Sequence, residues 1–219
     1  MKQIILLFSL FLTSCAGYQY KYQDNPFSSY DVNSVSIPAF LNKSLVPNIS
    51  AKFTSSISSV ISQDTTLKIY SGDSDQADAT LVGIISSSTK RNEFLRTVKT
   101  TLIDETYSSS IGNRREFYLP SQTSFKVNLY LILIKKPTSS DLKLIQKDFL
   151  PFLNQHPKVV FTKSIDLTAS FSRVLNANSG PDDGGVVNAT KNREILNKSV
   201  ETMANSAATV FRETVLNAF

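Results

Sequence analysis

The side chains of this sequence that could do chemistry are one cysteine, one histidine, a few adjacent acidic residues, many serines and a series of basic pairs. His156 lies in Asn154-Gln155-His156-Pro157-Lys158, a proline-flanked stretch with no acidic or thiol neighbour. It is expected to be a solvated loop residue rather than a base or a ligand. Asp104 and Glu105 are adjacent, so on a strand they point to opposite faces and cannot work as a carboxylate pair. Asp182-Asp183-Gly184-Gly185 lacks the ligand count of a calcium loop and is expected to be a turn. No G-x-S-x-G elbow is present, and a lone histidine limits any triad. Neither a dinucleotide fingerprint nor a Walker sequence occurs. An enzyme is therefore not expected, and neither is a metal or a cofactor.

Cys15 is different, because its position specifies its chemistry. It follows Leu12-Thr13-Ser14, and Ile4 to Leu12 (IILLFSLFL) is apolar except for Ser9. As a helix that run reaches roughly 14 Å, well short of a hydrocarbon core of about 30 Å. Behind the single charge of Lys2, it has the form of a secretory signal. Leu-Thr-Ser-Cys resembles the bacterial lipobox, in which the thiol takes a diacylglycerol before the peptide is cut. A buried core thiol is the competing reading of a lone cysteine; the position behind the apolar run decides for lipidation. Residue 16 is Ala, not the Asp that resembles an inner-membrane retention signal, so the outer membrane is expected.

The basic residues are the remaining signal. Lys90-Arg91, then Arg96 and Lys99, stand against Glu93 alone, and Lys135-Lys136 ends the most β-like stretch of the chain. Arg114-Arg115 lies in a further polar segment. Strand ends attract cations because they are solvated, yet the Lys90 to Lys99 cluster could also hold phosphate by charge-assisted hydrogen bonds. The 219-residue chain has a net charge of +5, and removal of residues 1–14 leaves 205 residues and a charge of +4. In a cell envelope such an excess points to anionic lipid headgroups and not to nucleic acid.

The elements that must position these residues follow from hydrophobic periodicity. Ala16 to Tyr30 reads as a tether. Val32 to Pro38 is a short strand and AFLNKSLVP a loop. Asn48 to Gln63 spaces Ile49, Phe53, Ile57, Val60 and Ile61 along one helical face. Thr66 to Tyr70 is the next strand, which makes a parallel pair with the first. Ala79 to Thr89 begins as a strand covered on both faces, and Ser124 to Lys135 belongs inside the sheet. Ile165 to Arg173 alternates with one wet face. Asn176 to Asn188 is a loop, and a helix from Thr190 to Ala218 closes the chain. The expectation is an α+β two-layer sandwich: a mixed sheet of about four to five strands, in a βαβββα-like order, with two helices on one face. Its organisation is a signal at 1–14, a lipidated tether at 15–30 and one domain at 31–219. That domain carries insertions at about 91–123, a hairpin of Thr97 to Tyr107 against Arg115 to Leu119, and at 137–157, with a short helix from Ser140 to Leu150.

Two short motifs stand out in this order. Ile37-Pro38-Ala39-Phe40-Leu41-Asn42-Lys43-Ser44 is of the P-x-F-x-N-x-S/T type, and Ala77-Asp78-Ala79-Thr80-Leu81-Val82-Gly83 of the A-D-x-x-L-x-G type. With Gly17-Tyr18 after the cysteine, they resemble LptE, the lipopolysaccharide-assembly lipoprotein family, over residues 15–89 and 123–134; Ala16 before Gly17 is a small departure. The resemblance implies an outer-membrane lipoprotein, lipid-anchored, periplasmic-facing or within a barrel lumen. It would plug and assist an LptD-like β-barrel in lipopolysaccharide transport, with Lys90, Arg91, Arg96, Lys99, Lys135 and Lys136 as candidate lipopolysaccharide contacts. A lipoprotein that regulates a cell-wall synthase, or one that forms a secretion-pore oligomer, shares the same strand, turn and helix signature, and an envelope hydrolase is the remaining alternative.

Overall fold

The computed structural model describes residues 25–104, 116–145, 156–175 and 187–217. Cys15, Arg114-Arg115, Glu105, Asp182-Asp183 and most of the Asn176 to Asn188 segment lie outside them, as does the Arg91 side chain.

After a 3-10 turn at Ser28–Tyr30 come β1 (Ser34–Ile37) and β2 (Leu41–Lys43), followed by α1 (Ile49–Asp64). The buried residues of α1 are Ile49, Phe53, Ile57, Val60 and Ile61, the apolar positions that the sequence spaces by three and four. β3 (Lys68–Ser71) returns parallel to β1, as expected of a strand-helix-strand unit. β4 (Ala79–Ser86) is also parallel to β1, and it is buried from Ala79 to Ile85. After one turn of helix, α2 (Arg91–Phe94), come β5 (Leu95–Ile103), β6 (Phe117–Lys135) and β7 (Val159–Ser172). The closing helix α3 (Ala189–Phe211) runs on into a π-turn, Arg212–Leu216.

The sheet has seven strands where four to five are expected. Two strands account for the difference. β2 sits in the expected AFLNKSLVP loop and pairs parallel with β4. β5, expected as an arm of a surface insertion, pairs antiparallel with the first half of β6. The other arm of that hairpin is the central strand itself, which at 19 residues is roughly 60 Å long. Along one edge β6 meets β5 and then β4; along the other it meets β7, all antiparallel.

The two long helices cover one face. Odd-numbered residues of β6, Phe125 to Leu133, pack with α1, α3 and the inward residues of β7 in the main core. Even-numbered residues face away. There Ile132 and Ile134 join Val82 and Ile84 in a second, smaller cluster that is closed by Leu142 and Ile145. Residues 139–145 are helical, so part of the 137–157 excursion forms a lid over the second face. The lower half of that face, from Lys126 down to Tyr118, has no such lid among the described residues.

Candidate functional site

The two sequence motifs meet in space. Phe40 is buried, and its ring lies against Gly83 so closely that a β-carbon there would come within 2.4 Å of the ring. Only glycine leaves room for that ring beneath β4. The Asp78 carboxylate accepts from the Ser34 hydroxyl at 2.8 Å, the Asn33 amide at 3.1 Å and the Ser34 amide at 3.0 Å. These bonds, the hydroxyl foremost, hold its pKa below the ordinary aspartate value. Asn42 closes the next turn: its amide donates to the Val46 carbonyl and its oxygen accepts from the Ser44 amide and hydroxyl. Each motif residue with an identifiable task thus holds β1, β2 and β4 together. The resemblance rests on framework residues, not on a reactive centre.

The six candidate cations do not form one patch. Lys135 lies 11 positions along β6 from Ser124, the partner of Arg96, which places the two groups roughly 36 Å apart. Lys135 is also committed locally, to the Tyr30 carbonyl at 2.8 Å and to Asp31 at 3.5 Å. Lys136 is exposed, takes a left-handed backbone and donates its amide to the Asp78 carbonyl. Lys90 pairs with Glu93 at 3.1 Å. Glu93, which also accepts from the Ser88 hydroxyl at 2.6 Å, has a lowered pKa, from Ser88 first and Lys90 second.

Arg96 and Lys99 do fall together, and they recruit a residue that sequence reasoning passed over. Arg96 is opposite Ser124 and Lys99 opposite Gln122, both on the face away from the helices. Lys126, two residues further along β6, shares that face and is exposed. The three cations therefore follow one line at steps of roughly 7 Å. Their neighbours on β7, Thr168, Ser170 and Ser172, are small and neutral. The alternation of Ser124 to Lys135 could have exposed Lys126, since it is the charged even position on a strand whose odd positions are core. Beside the line, where β4 leaves β6, an open cleft of about 970 Å³ is lined by Ser88, Asn92, Arg96, Lys126, Asn128 and Asp166. Asn128 ties Asp166 and Ser164 together, at 2.5 and 2.8 Å. This face offers cations, hydroxyls and amides side by side, a donor set suited to phosphate and sugar oxygens.

His156 corrects an expectation. Its Nε2 lies 3.7 Å from Asp141, so an acidic neighbour exists in space though none exists in sequence. Asp141 also accepts from the Thr138 amide at 2.8 Å and from Lys158 at 3.0 Å, while its own amide donates to Thr138 Oγ1. Thr138-Ser139-Ser140-Asp141 is thus a reciprocal cap on the lid helix. The Thr138 amide first, then Lys158, hold the Asp141 pKa at about 2. The cluster anchors the lid.

No protein-family model matches this chain, and no curated protein is similar to it. Solved structures with a similar course include a candidate lipoprotein from Caulobacter crescentus, at 7% identity over 82% of this chain and 88% of that one, with a TM-score of 0.38. A lipoprotein from Neisseria meningitidis is similar at 12% identity over 80% and 98%, with a TM-score of 0.33. The PelC dodecamer from Paraburkholderia phytofirmans is similar at 10% identity over 80% and 87%, again with a TM-score of 0.33. These likenesses lie below the level at which a shared fold or role follows. Among the described residues no helix is long and apolar enough to cross a membrane.

Proposed function

We propose that this chain is an outer-membrane lipoprotein of lipopolysaccharide assembly, acylated at Cys15, that plugs an LptD-like β-barrel and assists lipopolysaccharide through it. The observation that carries the reading is the interlock of the two motifs. Phe40 on Gly83, with Asp78 on Ser34, gives the LptE-like residues a joint task that short matches arising by chance would not share. The polar exterior suits the proposed setting, because a plug must present wet surfaces to a barrel lumen. The outer face of α1 is rich in serine, with Ser55, Ser58, Ser59 and Ser62 bordering a shallow groove of about 610 Å³. Lipopolysaccharide carries phosphates, and Arg96 and Lys99, joined by Lys126 and preceded in the sequence by Lys90 and Arg91, are the cations assigned to them. Lys135 is assigned to the framework instead. No catalytic step is part of this role.

Co-purification through a C-terminal tag tests the reading. A large barrel protein is expected to come down in stoichiometric amount. Recovery of a cell-wall synthase, or of a ring of this chain with no barrel, overturns it.

A further inference from the structure

A sheet of this kind has edges, and an unpaired edge is a template for another strand. Among the described residues four strands have one, and β2 is only 3 residues long. β3 is only 4 residues long, and Lys68 is exposed on it. β5 breaks its register on both sides of Lys99 and carries Arg96 and Lys99. Shortness, bulges and cations are the devices by which proteins blunt an edge.

β7 is long, at 14 residues; its register shift lies at its start, beside Val159, and Lys163 is the one cation in it. The Arg173 amide donates to the Ser121 carbonyl on β6, so odd-numbered residues of β7 turn their backbone groups inward and even-numbered ones outward. The two ends of the outward row are closed. Asn192 bonds both the amide and the carbonyl of Val174, and the Ser199 hydroxyl reaches the Ser170 carbonyl. At the other end the ladder shifts register beside Val159. Between these closures, from Thr162 to Thr168, no hydrogen bond among the described residues reaches the outward backbone groups. The flank is clear as well: α3 presents the small Ser199, Thr202 and Ser206 to a groove of about 280 Å³ along the edge.

We propose that two copies of this chain pair antiparallel through this run of β7, about a two-fold axis at Ile165. The open run is centred on that residue, so the axis sets Thr162 against Thr168 and Ser164 against Asp166 of the second copy. All of these are outward-facing positions, and each such pair exchanges two backbone hydrogen bonds. Self-complementarity is what a two-fold interface requires. Charge agrees with it: Asp166 meets a serine hydroxyl, Lys163 meets Leu167, and no like charges stand opposite one another. The pairing is independent of the function proposed above.

The test is the mass of the full chain in detergent, measured by light scattering across a concentration series. The wild type is expected to reach twice the monomer mass. Ser164→Pro removes an outward amide that the native ladder does not use, so it is expected to keep its circular dichroism and remain monomeric. Ser164→Asp places a carboxylate opposite Asp166 and is expected to weaken the dimer by about tenfold, since two such pairs form; Ser164→Lys is expected to tighten it. A wild type that stays monomeric overturns the proposal, as does a dimer indifferent to all three substitutions.

Discussion

At Gly83 a single hydrogen decides whether two motifs can meet. The Phe40 ring occupies the space of the missing side chain, and Phe40 itself is buried. Gly83→Ala forces the ring or strand β4 to move, and overpacking of this kind costs roughly 1–3 kcal/mol. Urea denaturation of the variant is expected to show that loss. Phe40→Leu in the same background should recover part of it, because neighbouring sites are not additive. Equal stability of Gly83→Ala and wild type would mean that the contact is slack. The sequence made this pair visible only as two motifs; their contact depends on the register that sets β2 beside β4, and no local pattern carries register. His156 shows the same limit. Asp141 is 15 positions away in the chain, and no local pattern pairs the two.

Among the elements, those with a long period were legible and those defined by a partner were not. α1 and α3 announce themselves because each buries one stripe of apolar residues. β2 has only three residues and becomes a strand because β4 is there to receive it. The first half of β6 contains Pro120, which argues against an interior strand in the sequence. The structure accommodates it where β5 shifts register beside Lys99 and Thr100, so the missing donor falls at a broken part of the ladder. The lid at residues 137–145 yields an element-scale prediction. Asp141 has a folded pKa of about 2 against about 3.9 when unfolded. A depressed carboxylate stabilises the fold fully above the unfolded value and loses that contribution as pH falls through the folded one. Acidification from about pH 4 to about pH 2 should therefore loosen the lid and expose Ile132 and Ile134. Asp141→Asn is expected to be less stable than wild type at neutral pH and to lack this acid-dependent slope. Urea midpoints measured on both sides of that window decide the matter, and parallel slopes for the two proteins would remove Asp141 as the anchor.

For the whole molecule, the question is how a modest positive charge is distributed over a long sheet. The net charge of +5 says only that anions are tolerated nearby. Placement says more, because Arg96, Lys99 and Lys126 line one wet face while Lys135 is bound to Tyr30 and Asp31 at the far end. Charges separated by roughly 36 Å along β6 lie several screening lengths apart at physiological salt, about 8 Å each, so they cannot act on one phosphate group. Changing Arg96, Lys99 and Lys126 together to Gln should thus weaken binding to lipopolysaccharide, with the difference from wild type shrinking as salt is raised. Lys135→Gln should leave that binding unchanged and lower thermal stability instead, since it removes the contacts that tie residues 30–31 to the end of β6. Binding to immobilised lipopolysaccharide over a salt series, with melting curves alongside, separates the two roles. If the triple variant binds as wild type does, the line of cations is merely a solvated surface. If Lys135→Gln is the variant that loses binding, the ligand sits at the opposite end of the sheet from the one argued here.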